Sequence, residues 1–132
     1  MKNKVYLAGG FKSNWSEKVK QLKGFDFFDP KDKEIKEANR VDWDVNSYGK
    51  YDLHYIKMSD IVFVYVEKSN PSCIGLSVEA GFAKGLNKTV ILVLEDNHET
   101  IKDNYLKFIT QVADITFNDF DKALDYLKTF NI

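Results

Sequence analysis

The sequence predicts an α/β fold, a three-layer α/β/α sandwich built on a parallel sheet, and three observations carry that expectation. Four short runs, at 5–8, 25–28, 61–66 and 89–94, are apolar on nearly every residue instead of alternating. Strands buried on both faces of a parallel sheet read this way. Helical patterns fill the gaps between the runs, and strand–helix alternation is how parallel sheets with covering helices are written. Finally, 132 residues with 44% hydrophobic and 30% charged side chains suit one domain, 1–132, that buries its own core.

Each element has its own signal. The first strand is VYLA at 5–8, and the helix over 15–22 opens behind Ser13 and Asn14, N-cap residue types, and closes at Gly24. The second run, FDFF at 25–28, is broken only by Asp26. Residues 31–50 are polar, charged and long for a connection inside a compact domain, which marks an insertion or a functional loop. A helix over 51–58 places Leu53 and Ile56 on neighbouring turns and ends at Ser59 and Asp60. β-branched and aromatic residues dominate 61–66 and 89–94, favouring strand over buried helix. Between them a helix over 78–86 carries Ala and Phe on one side and stops near Asn87. Residues 98–110 and 120–130 are amphipathic, with Leu106, Ile109, Leu124 and Leu127 inward, and 114–117 is a weaker fifth strand. Right-handed crossovers put helices on both faces. For five parallel strands the flavodoxin-like order 2-1-3-4-5 is the expected solution, with a ligand at the carboxyl ends of the first and third strands.

Composition excludes several function classes. Nineteen Lys+Arg against twenty Asp+Glu leave a net charge of −1, without the basic excess of a nucleic-acid coat or an anionic-membrane binder. The single cysteine, Cys73, forms no intramolecular disulfide, and no Cys/His spacing suits structural zinc, so no metal is expected. The opening MKNKVYLAGG has too short an apolar run for a secretory h-region, and 61–66 is too short to span a bilayer. A cytoplasmic location is the expectation.

The sheet rule directs attention to loops that follow strands. In GGFKSNW, Gly9 and Gly10 admit close approach of backbone to ligand, and the helix start behind Phe11 and Lys12 offers N–H groups. Neither GxGxxG nor GxxxxGK[ST] is present, so dinucleotide and P-loop binding are not supported. In EKSNPSCIGLSVEAGFAKG, Gly75 allows tight entry into a helix, and Glu79 falls near its first turn, against the small apolar face of Ala80, Gly81, Phe82 and Ala83. A carboxylate there serves either as a dipole-complementing first-turn acid or as a desolvated, tuned reactive group. Asp52, at the expected start of the helix before the third strand, is either a helix-terminal acid or the second carboxylate of a pair with Glu79. His54 and His98 lie on different elements with no GxSxG serine, so a Ser-His-Asp triad is not supported. Phe11, Trp15 and Trp43 are candidates to stack on a planar ligand or to be buried aromatics.

At these residues the chain resembles the nucleoside 2-deoxyribosyltransferase superfamily, which includes the 2′-deoxynucleoside 5′-monophosphate N-glycosidases. The resemblance rests on KVYLAGGF, YDLHYIKMSDIVFVYV and NPSCIGLSVEAGFAKGLNKTVI, in that order, over about residues 4–94. It implies Glu79 as nucleophile, Tyr6 as the strand tyrosine that holds it, Asp52 as the helix aspartate and Gly75 as the glycine before the nucleophile. Ser72 is similar to the loop serine of the N-glycosidase branch. Where that branch has an arginine in the first loop, this chain offers Lys12, Ser13 and Asn14, and its single arginine, Arg40, lies elsewhere. Asn104 or Tyr105 is the nearest match to a polar residue lent by a neighbouring subunit.

The activity implied is cleavage of the N-glycosidic bond of 2′-deoxyribonucleosides through a covalent deoxyribosyl-Glu79 intermediate, with transfer of deoxyribose to another nucleobase. Two alternatives stand beside it: a 2′-deoxynucleoside 5′-monophosphate N-glycosidase, and a non-catalytic nucleotide-binding or sensor domain. The expected partners are a nucleoside or nucleotide and a free nucleobase, with no organic cofactor, no nucleic acid polymer and no membrane. A homodimer or higher homo-oligomer with shared active sites is expected, in keeping with 14% aromatic residues in so short a chain.

Overall fold

The computed structural model describes residues 2–11, 13–32, 45–68, 73–95 and 106–131. Five parallel strands form one sheet of order β2-β1-β3-β4-β5: β1 (Asn3–Gly9), β2 (Phe25–Phe28), β3 (Ile61–Val66), β4 (Thr89–Leu94) and β5 (Ile115–Phe117). The order and the class are those expected. The helices are α1 (Trp15–Lys20), α2 (Val45–Lys57), α3 (Ile74–Gly85) and α4 (Phe120–Lys128), with a 3₁₀ helix at Leu106–Val112.

Alternation along the strands divides the core into two layers. Tyr6, Ala8, Val62, Val64, Val90 and Leu92 face α2, α3 and the 3₁₀ helix, meeting Ile56, Leu76, Ala80 and Ala83. Val5, Leu7, Ile61, Phe63, Ile91 and Val93 face α1 and α4, meeting Trp15, Val19, Ala123 and Leu127. The central strands are buried on both sides, which is why they read as unbroken apolar runs.

Several boundaries differ from expectation. α2 begins at Val45 rather than at Tyr51, so the end of the supposed 31–50 insertion is helical and Asp52 lies mid-helix. Polar residues and Gly49 obscured a period of three to four that Val45 and Tyr48 continue upstream of Tyr51. α3 begins at Ile74 rather than at Val78, with Cys73 as N-cap, which moves Glu79 into the second turn. Of the helix expected over 98–110, residues 98–105 lie outside the described residues, and Leu106–Val112 is 3₁₀ rather than α. Asn14 is the N-cap of α1 but makes no side-chain cap bond; its Oδ1 accepts from Lys31 Nζ at 3.2 Å instead. α1 ends at Lys20 with Gln21 as C-cap, short of the expected close at Gly24, which instead takes φ +90° in the turn entering β2; Asn87 follows the Leu86 C-cap of α3 at φ 61°, as its helix-ending signal predicts. Among the described residues no helix is long and apolar enough to cross a membrane.

Candidate active site

Topology alone brings the chemistry-bearing residues to one edge. α3 leaves the carboxyl end of β3, so its first turns stand over the strand ends, and α2 returns to the amino end of β3, so its N-terminal half stands over the same edge. Both helices cover the face that Tyr6 points to. Glu79, Tyr6 and the half-buried Asp52 therefore lie on one side of the sheet.

Tyr6 is fully buried, and its phenol donates a hydrogen bond to Glu79 Oε2 across 73 positions of sequence. Its ring plane is fixed by neighbours that sequence inspection did not single out. Tyr6 stacks on Phe28 of β2 (centroids 5.5 Å, 15°), and Phe28 stacks in turn on Tyr55 of α2 (4.0 Å, 6°). Tyr51, beside Asp52, leans on both Phe28 and Tyr55. Register pairs Tyr6 with Phe28 directly, and Tyr51 and Tyr55 are one helical turn apart, so parallel pairing plus i,i+4 spacing was the available signal. Each such aromatic pair adds about 0.5–1.5 kcal/mol beyond area burial. The ladder ties the strand that positions Glu79 to the helix that carries Asp52.

The remaining predicted positions divide. Gly75 is the second residue of α3, and a Cβ there would meet open space, so nothing in the packing demands glycine. Gly9 is demanded: a Cβ would lie 2.6 Å from Trp15 Cζ2 and 2.9 Å from the Tyr65 carbonyl oxygen. Its bareness seats the indole, whose N–H donates to the Gly10 carbonyl at 2.9 Å. Trp15 is only 6% exposed and packs against Phe63 and Tyr65 in the layer opposite Tyr6, so the structure does not bring it to Glu79. Phe11 is exposed on the first loop. Lys12, Ser72 and Asn104, together with Arg40, Trp43, His98 and Tyr105, lie outside the described residues.

Other polar residues gather nearby. Glu67, just after β3, is buried and accepts from Ser13 Oγ at 2.8 Å. Burial, then the carboxylates of Glu95 and Glu67, push the Tyr65 phenol above its ordinary value. Glu17, Asp29 and Asp32 have carboxylate oxygens within 4.8 Å of one another, as a metal site requires. Lys20 already occupies that position, 2.9, 3.0 and 2.8 Å from the three. Burial opposes its charge, but Asp32, Glu17 and Asp29 outweigh burial and hold the ammonium above the ordinary lysine range. Cys73 is buried, and burial alone raises its thiol pKa, the opposite of an activated nucleophile.

Residues 2–97 match the family model described as nucleoside 2-deoxyribosyltransferase like. The chain belongs to that family. Membership supports an enzyme of nucleoside deoxyribosyltransferase or N-glycosidase type. Solved structures share the deoxyribosyltransferase-like fold. A conserved protein of Enterococcus faecalis has TM-score 0.73 and 17% identity over 98% of this chain and 99% of that one. A 2-deoxyribosyltransferase of Bacillus psychrosaccharolyticus has TM-score 0.69 and 23% identity over 98% and 96%. A CMP N-glycosidase of Clostridium botulinum has TM-score 0.59 and 21% identity over 96% and 98%. No curated protein matches the sequence.

Proposed function

We propose that this chain cleaves the N-glycosidic bond of 2′-deoxyribonucleosides and transfers the deoxyribose to a second nucleobase. The observation that carries the reading is the Tyr6–Glu79 hydrogen bond, which orients a half-buried carboxylate at the strand ends. A Glu79 oxygen attacks C1′ as the C1′–N bond breaks, its electron pair passing to the base nitrogen. The developing positive charge at C1′ is stabilised by the carboxylate, and the departing base gains a proton whose delivery Asp52 supports. The product is a deoxyribosyl ester on Glu79. A nitrogen of the incoming base then attacks C1′ and expels the carboxylate, restoring the enzyme. Gly9, Gly10, Phe11 and Lys12 of the first loop, with Ser72, Gly75 and Asn104, complete the substrate site in this reading. Trp15 supports that loop from beneath rather than stacking on the base.

The family resemblance also implies an assembly of identical chains in the cytoplasm. Ile74 and Val78, one turn apart on α3 beside Glu79, are 77% and 58% exposed and provide an apolar face for it.

The test is a chromatographic time course of the purified chain with deoxyinosine, with and without cytosine, and in parallel with deoxynucleoside monophosphates. Deoxycytidine formed only with cytosine, and absent in Glu79→Gln, is the expected result. Glu79-dependent release of free sugar or sugar phosphate without any acceptor effect would assign a hydrolase. No Glu79-dependent change in any tube would assign a binding domain.

A further inference from the structure

At the same strand ends, on the sheet face opposite Glu79, a cleft of about 410 Å³ opens between the beginnings of α1 and α4. Trp15, Lys18, Tyr65, Glu67, Phe120 and Asp121 are among its lining residues. Its size falls in the range of small-molecule sites.

Glu67 is the unusual member. It is 7% exposed, and its single hydrogen bond among the described residues comes from the neutral Ser13 hydroxyl. No lysine, arginine or histidine of the described residues forms an ion pair with it. Burying a carboxylate without a counter-charge is costly, and one hydroxyl donor offsets only part of that cost. Nearby charge adds to the deficit: Asp121 lines the cleft and the Glu95 carboxylate lies close to the Tyr65 phenol, while among the described lining residues Lys18, at the exposed rim, is the one ammonium, and Lys31 Nζ is held by Asn14 Oδ1 and the Ser13 carbonyl. The remaining wall is aromatic. Trp15 meets Tyr65 edge-on at 5.3 Å, and Tyr65 leans on Phe120 at 4.9 Å.

We propose that this cleft binds a small organic ammonium ion, its charge against the Glu67 carboxylate and its apolar body on Tyr65 and Phe120. A hard divalent metal ion would seek six or more oxygen ligands, whereas this cleft pairs a buried carboxylate with aromatic rings. Carboxylate plus aromatic walls is the chemistry that holds an amine, through ion pairing and cation–π attraction. The site is separate from the Glu79 reaction centre and stands whether or not the proposed reaction does.

The experiment is a calorimetric titration of the purified full chain with benzylammonium chloride and, as the uncharged analogue, benzyl alcohol, at matched ionic strength. Tryptophan fluorescence follows the same titration. Benzylammonium is expected to bind at least about tenfold more tightly than the alcohol, a difference of one charge–charge contact. Glu67→Gln should lose about tenfold in affinity while Glu79→Gln binds like the parent chain. Because Glu67 is buried, a second variant at the exposed rim guards against misfolding: Lys18→Ala removes the competing ammonium and should tighten binding by about threefold. Equal binding of amine and alcohol, unchanged affinity in Glu67→Gln, or unchanged or weaker affinity in Lys18→Ala would overturn the assignment. Loss of binding in Glu79→Gln would move the amine to the reaction centre. Displacement by magnesium or calcium chloride, beyond a sodium chloride control, would make the site a metal site. No binding to the parent chain would end the proposal.

Discussion

Tyr6 has no water to share its hydroxyl with and spends it on Glu79, a residue far away in sequence. The bond narrows the directions the Glu79 carboxylate takes. A hydrogen bond to a charged group contributes about 1.5–3 kcal/mol. Tyr6→Phe keeps the ring and its stack on Phe28, so the chain should fold with little change in melting temperature. In the reading proposed here its kcat should nevertheless fall by about 10–100-fold, with KM for the nucleoside little changed. Steady-state kinetics of the base-exchange reaction check this, and an unaltered kcat would remove Tyr6 from the machinery. At the same scale, sequence inspection reached Tyr6, Asp52 and Glu79 through the order of motifs, whereas contact between Tyr6 and Glu79 is not something spacing reveals. Nothing in GGFKSNW announces that Gly9 is required by the Trp15 indole rather than by a ligand.

Elements carry the next level of control. β2 is an edge strand, and its last residue, Phe28, lies between Tyr6 and Tyr55 and so joins β1 to α2. Phe28→Leu keeps apolar volume but removes both stacked faces. It is expected to cost about 1–3 kcal/mol in urea denaturation, from two aromatic pairs and imperfect repacking. It should also reduce kcat more than Tyr55→Leu, because Phe28 stacks directly on the Tyr6 ring. A second element-level tie sits at the other edge. Asp114, just before β5, accepts from Val90 N–H at 2.7 Å and pairs with Lys84 Nζ at 3.0 Å. Desolvation raises its pKa, but the Val90 amide and the Lys84 ammonium prevail and hold the carboxyl below its ordinary value. A group with a depressed folded pKa stabilises above its unfolded pKa, near 3.9, and that stability is lost as pH falls through the lower folded value. Asp114→Asn should therefore lower the urea midpoint at pH 7, with the difference shrinking as pH falls below the ordinary carboxylate range. A gap that stays constant across that range would contradict the assignment.

For the whole molecule, the doubly wound sheet presents a different set of residues on each of its two faces. The Glu79 side is backed by the tyrosine–phenylalanine ladder, the other by Trp15, Tyr65 and Phe120 around Glu67. The exposed Ile74 and Val78 leave an apolar face on α3 beside Glu79. In an assembly of identical chains that face is covered, and Val78→Lys should shift light-scattering mass toward the monomer without lowering the melting temperature of a monomeric chain. An unchanged mass would place the interface elsewhere.

By itself the sequence determined the sheet and its order, because strands buried on both faces must be written as continuous apolar runs and right-handed crossovers leave few ways to connect them. It also singled out Glu79, Asp52 and Tyr6 as candidates, since their motifs stand in a specific order. It did not determine where α2 and α3 begin: Val45 and Tyr48 are set among polar residues, and the Cys73–Gly75 entry reads as loop. Tertiary structure alone decided which groups meet. A hydrogen bond across 73 positions, a ladder from β1 through β2 to α2, and a buried glutamate without a counter-charge among the described residues all depend on the crossing of distant elements. Local periodicity reports which face of an element is apolar, while the partner on that face is set by how the layers pack.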